Sequence, residues 1–138
     1  MNDAQNTCIV RQLFDYYNQS DMAGFMSLLS PDIIWIEPGG MEIPYAGTFR
    51  GTGEIGKMLE IIATSLRMIS FKVNSFCAGD NIVTALGCNE AEVKSTGKKY
   101  KTDWVYAFAF TDSKISSVQV YMDTQTIANA YFVEEVTL

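Results

Sequence analysis

The chain has 138 residues, 48% of them apolar, 12% aromatic and 19% charged. One domain's length with that apolar mass can fill a core, which excludes a disordered chain. Ten basic residues against 16 acidic ones give a formal charge of −6, which excludes nucleic acid and anionic membranes as partners, since both need basic patches.

The opening MNDAQNTC is polar and has no apolar segment of the kind that directs secretion. From about Gln5 to Gln19, residues Ile9, Val10, Leu13, Phe14, Tyr16 and Tyr17 recur every three to four positions, which predicts an amphipathic helix. Ser20 or Asp21 can cap a second, shorter helix with Met22, Phe25, Met26 and Leu29 inward. Ser30-Pro31-Asp32 is expected to end it, because proline disfavours helix in the residue before it. IIWIE, from Ile33 to Glu37, reads as a short strand rich in β-branched and aromatic residues. PGGMEIPYAG follows as a loop. Thr52 is expected to cap a third helix, with Glu54 in its first turn and Ile55, Met58, Leu59, Ile62 and Leu66 as its apolar stripe. From Ser70 onward four long strands turn at GDN, STGK and TDSK, a spacing that means consecutive antiparallel hairpins. Lys98, Lys99 and Lys101 flank one of these hairpins and read as a solvated edge. A short terminal helix, TQTIANAYF, starts after Asp123.

Helices first and a meander afterwards is an α+β order, with helices on one face of a curved, mostly antiparallel sheet. No repeat or linker divides residues 1–138, so a single domain is expected, and no apolar run reaches membrane-spanning length. The chain contains no histidine. Acid–base chemistry therefore rests on Asp, Glu, Tyr, Lys or Cys, and a Ser-His-Asp triad or a histidine-rich metal site is excluded. GTGEIG at Gly51 to Gly56 lacks the lysine of a phosphate-binding loop and reads as a helix start. Cys8, Cys77 and Cys88 are an odd count without metal spacing, and are expected to be reduced, buried side chains of a cytoplasmic protein. No metal and no cofactor are expected.

Side chains alternate across a strand. Ile33, Trp35 and Glu37 therefore share a face, as do Trp104, Tyr106, Phe108 and Phe110, and as do Val118, Val120 and Met122. A sheet curled around helices leaves a wedge between the layers, where small-molecule pockets form. The expected pocket takes Trp35, Glu37, Trp104, Tyr106, Phe108 and Met122 from strands, and Phe14, Tyr17, Met58 and Ile62 from helices. A carboxylate facing a core is costly unless paired or protonated, so Glu37 either carries a function or pairs with Arg50. Val105, Ala107 and Ala109 form an apolar outer face that suits a homodimer.

Three stretches carry a likeness to a known family: YYNQSDMAGFMSLLSPDIIWIEPGG, PYAGTFRG, and the pair DWVYAFAF…SKISSVQVYMDT. In order and spacing the chain resembles the nuclear transport factor 2-like superfamily, in particular its ketosteroid-isomerase and SnoaL-like polyketide-cyclase branch. The resemblance covers nearly the whole chain and implies a cone, a curved sheet wrapped around three helices with a deep pocket. In ketosteroid isomerases the general base is a carboxylate at the end of the first strand before a proline, which Glu37-Pro38 matches. The oxyanion-stabilising acid of that family falls at Tyr106. Its helix tyrosine falls near Leu13, one turn before Tyr16 and Tyr17. Polyketide cyclases of this fold use an aspartate near the end of the last strand, close to Asp123, which is also placed to cap the terminal helix.

The resemblance implies a cofactor-independent isomerase or cyclase acting on an apolar carbonyl compound, with Glu37 as base and Tyr106 as donor to the enolate. A non-catalytic ligand-binding or protein-interaction module of the same fold is the alternative.

Overall fold

The computed structural model describes residues 2–133. It contains α1 (Asp3–Asn18), α2 (Met22–Ser27), β1 (Leu29–Glu37), β2 (Gly47–Arg50), α3 (Gly51–Ser65), β3 (Leu66–Gly79), β4 (Ile82–Val93), β5 (Lys99–Thr111), β6 (Lys114–Met122) and α4 (Thr124–Tyr131). The strands form one sheet in the order β2-β1-β6-β5-β4-β3, antiparallel except where β1 runs parallel to β6. Helices pack on its inner face, as the α+β order requires. Among the described residues no helix is long and apolar enough to cross a membrane.

Helix starts follow local capping chemistry. Asn2 and Gln5 form a reciprocal capping box on α1. Asp21 caps α2 through the Gly24 N–H at 2.9 Å. Thr52, contrary to expectation, does not cap α3. It lies inside the helix, whose N-cap is Arg50, and Glu54 Oε1 accepts from the Arg50 N–H at 2.8 Å.

Three strand boundaries differ from the expectation. Pro31 does not separate helix from strand but sits inside β1. Its missing N–H is tolerated because the ladder to β6 is interrupted between Leu29 and Ile34, and β2 reaches only as far as Ile34. β2 itself is not anticipated by the sequence pattern: four residues beginning with glycine are too short to show alternation. Leu66 belongs to β3 rather than to the stripe of α3, its backbone being extended at φ −122° and ψ 142°.

β3 is bent twice. Its register to β4 shifts between Met68 and Ser70 and again between Val73 and Ser75, two bulges that bend a 14-residue strand. At the second bend Gly87 faces Trp104. A Cβ at Gly87 would sit 2.3 Å from the indole and 2.1 Å from the Lys72 carbonyl oxygen, so only glycine leaves room for the ring.

The inner faces fill as alternation predicts. Ile33, Trp104, Phe108, Val118 and Val120 are buried against Val10, Leu13 and Met58 from the helices. A second cluster, with Ile43, Tyr45, Leu66, Tyr100 and Ile127, joins the loop after β1 to α4. The cysteines depart from expectation. All are free, but Cys8 and Cys77 are exposed and Cys88 is half-buried, because each falls on an outward-facing position.

Candidate active site

Alternation along β1 brings Glu37 inward with Ile33 and Trp35, and leaves it 4% exposed. The Trp35 indole N–H donates to Glu37 Oε1 at 2.9 Å, two residues away on the same strand face. Oε2 has no hydrogen-bond partner among the described residues, yet it is not among the sealed, partnerless polar atoms. One carboxyl oxygen is therefore held and the other meets open space. Burial pushes the Glu37 carboxyl up to about 7, and the indole N–H opposes that rise.

The pairing of Glu37 with Arg50 does not form. Arg50 stands opposite Ile34 in the ladder, so its side chain leaves by the outer face, and it is exposed. Asp123 is corrected as well. It is the N-cap of α4, accepting from the Thr126 N–H at 3.1 Å and the Thr126 hydroxyl at 2.7 Å, and these bonds hold its carboxyl below the usual range. Its side chain is exposed and does not line the cavity.

Tyr106 reaches the Glu37 end of β1 through the sheet register. Trp35 pairs with Val118 on β6, and Val120, two residues on, pairs with Tyr106. The rings of Trp35 and Tyr106 stand edge to face with centroids 6.2 Å apart. Burial, and then the charge of Glu37, raise the Tyr106 phenol well above its ordinary value, so it stays a proton donor.

A cavity opens between this sheet face and the helices. Of the expected wall, Phe14, Tyr17, Trp35, Glu37, Met58, Ile62, Tyr106 and Met122 line it. Trp104 and Phe108 do not. They are 1% and 0% exposed and form the layer behind, where Trp104 stacks on Phe71 and Phe14. The cavity holds about 600 Å³ of empty space with its mouth included, but only about 50 Å³ of it is wide enough for a water molecule. Met58, Met68 and Met122 are the adaptable part of that wall.

Tyr45, Asn89 and Tyr100 also line the cavity, beyond the expected wall. Tyr100 shares the parity of Trp104 and Tyr106, a signal that reaches it if the alternation is followed to the start of β5. Tyr45 sits in an irregular loop, where no period exists to follow. Its hydroxyl lies 3.4 Å from that of Tyr100. Burial raises both phenols, and Tyr17 likewise, above their ordinary values. The walls thus offer one carboxyl with a near-neutral pKa, four phenolic hydroxyls and one amide, within an aromatic and methionine-rich surface. That set can move a proton and stabilise an oxyanion. Among the described residues, no three Cys, Asp or Glu side chains gather as metal ligands would.

A family model described as the SnoaL-like domain matches residues 10–118. No curated protein matches the sequence. Among solved structures, an NTF2-like protein from Burkholderia xenovorans LB400 is 31% identical, with a TM-score of 0.88 over 96% of this chain and 99% of that one. TerC, co-crystallised with polyporic acid, is 22% identical with a TM-score of 0.82, covering 92% of this chain and 98% of its own. A proposed polyketide cyclase from Xanthomonas campestris pv. campestris is 17% identical with a TM-score of 0.79, covering 96% of this chain and 100% of its own.

Proposed function

Because the chain belongs to the SnoaL-like domain family, we propose that it is a cofactor-independent isomerase or cyclase whose general base is Glu37. The observation that carries this reading is the buried Glu37 carboxyl. Oε1 is fixed by Trp35, Oε2 is open to the cavity, and the pKa stands near 7, where a general base works best at neutral pH. Oε2 takes a proton from the carbon beside a carbonyl of an apolar ligand. Tyr106 donates to the developing enolate oxygen. Glu37 then returns the proton to a different carbon, giving an isomer, or the enolate carbon attacks a second carbonyl of the same molecule, giving a ring whose new alkoxide oxygen takes the proton back from Glu37. The cytoplasm is the expected setting, with neither nucleic acid nor membrane as partner. Isomerase and polyketide cyclase names among the structural neighbours agree with this class of chemistry.

A binding module without turnover is the second reading. It is favoured by Leu13, which lines the cavity where the resemblance implies a tyrosine donor.

Glu37→Gln separates the two. On an enone or poly-β-keto ester that the protein turns over, the substitution is expected to lower kcat by about a thousandfold or more while ligand binding changes little. Unchanged turnover would overturn the base assignment.

A further inference from the structure

We propose that the corner of the cavity formed by Asn89, Tyr100 and Tyr45 is a second binding subsite that takes a hydroxyl group, and that the ligand is an uncharged hydroxylated ring compound. The proposal rests on the reading of Glu37 as base only in calling this corner the substrate's non-reacting end.

Asn89 is 5% exposed and lines the cavity from β4. Its Nδ2 faces the Met68 thioether at 3.4 Å, and its Oδ1 is sealed behind the cavity wall with no partner among the described residues. A thioether only accepts, so the amide is turned with nitrogen toward sulfur and the acceptor is the atom left over. Buried acceptors nearly always have a donor, and an exception points to a missing one. The neighbouring Tyr45 and Tyr100 hydroxyls lie 3.4 Å apart, longer than an ordinary O–H···O bond, and Tyr100 belongs to the same sheet face as Asn89. Once the wall yields, a guest hydroxyl can donate to Oδ1 and accept from a phenol at once. Met68, against which the amide nitrogen rests, is the flexible side chain whose rotation admits it.

Charge selects further. Among the described residues no lysine or arginine lines the cavity, and its one carboxyl group is Glu37. A carboxylate or phosphate ligand would enter without a counter-ion, beside a carboxyl and apolar walls. The corner itself, formed by Asn89, Tyr45 and Tyr100, holds no charged side chain, so an ion of either sign finds no counter-ion there, while a neutral phenol or alcohol meets partners.

The test is calorimetric, with 4-ethylphenol, 4-ethylanisole, 4-ethylbenzoate and 4-ethylbenzylammonium on the intact chain at pH 7. The phenol is expected to bind about tenfold tighter than the anisole, the value of one good hydrogen bond, and the two ions at least about tenfold weaker than the phenol. In Asn89→Leu and in the milder Tyr100→Phe, the phenol's advantage over the anisole should shrink to less than about threefold, while Glu37→Leu keeps it. Equal binding of phenol and anisole would mean that water alone serves Asn89, and would overturn the subsite. So would tighter binding of either ion, or loss of the phenol preference in Glu37→Leu with retention in Asn89→Leu. None of these readouts uses turnover, so the subsite can fail while the base assignment stands, and the reverse.

Discussion

Glu37 destabilises the fold that holds it. Its carboxyl rises from 4.5 in an open chain to about 7 when buried, so between those values the folded state binds the extra proton. The folded protein is therefore favoured below pH 4.5 and loses that advantage as pH rises through 7, by roughly 3 kcal/mol in all. Glu37→Gln carries no such slope. Denaturation at pH 5 and pH 8 should show the variant gaining on the parent as pH rises; parallel behaviour would mean that the carboxyl is not desolvated. Trp35 works in the opposite direction. Its N–H favours the charged carboxylate, so Trp35→Phe, which keeps a ring, should move the titration of Glu37 above 7. Carboxyl-carbon NMR of Glu37 reads this directly, and an unmoved or lowered midpoint would remove Trp35 from the role of positioning the base.

The elements were legible in the sequence wherever a period was long enough to count. The 16-residue α1, the three hairpins and the inward parity of β1, β5 and β6 follow from alternation and capping alone. β2, with four residues, and Tyr45, in a loop, offered no period. The split of the aromatic row into a wall, Tyr106, and a layer behind it, Trp104 and Phe108, depends on how far the sheet bends, which bulges decide and parity does not. The bend has its own test. Gly87→Ala drives a methyl group into Trp104 and the Lys72 carbonyl and should cost about 3 kcal/mol or more by chemical denaturation. Gly53, on the exposed side of α3, has nothing within 4 Å of the place a methyl group would take, and should gain about 0.5 kcal/mol as alanine. Equal effects at the two sites would mean that the indole does not need the glycine.

At the scale of the molecule, one apolar row crosses an outer sheet face on which Ala107 and Ala109 stand beside Thr84, Gln119 and Ser117. Leu86 pairs with Val105 and Val105 with Tyr121, and Leu86 and Tyr121 are 41% and 58% exposed. A row of this kind across three strands is the surface on which a second copy is proposed to sit. Sedimentation should give a dimer that Leu86→Glu converts to a monomer, and a parent protein that sediments as a monomer would remove the proposal.

The parallel pairing of β1 with β6 has a consequence for assembly in time. β3 to β6 can zip as neighbouring hairpins, each closing a short loop, but β1, beyond its short ladder with β2, joins the sheet only through β6, a strand some 80 residues later in the chain and a costly closure. The strand bearing Glu37 precedes the other strands of the sheet in the chain, yet it is expected to join β6 after the hairpins have closed. On that order the Glu37 carboxyl would stay in water until the rest of the sheet is built, so that enclosing it coincides with completing the fold.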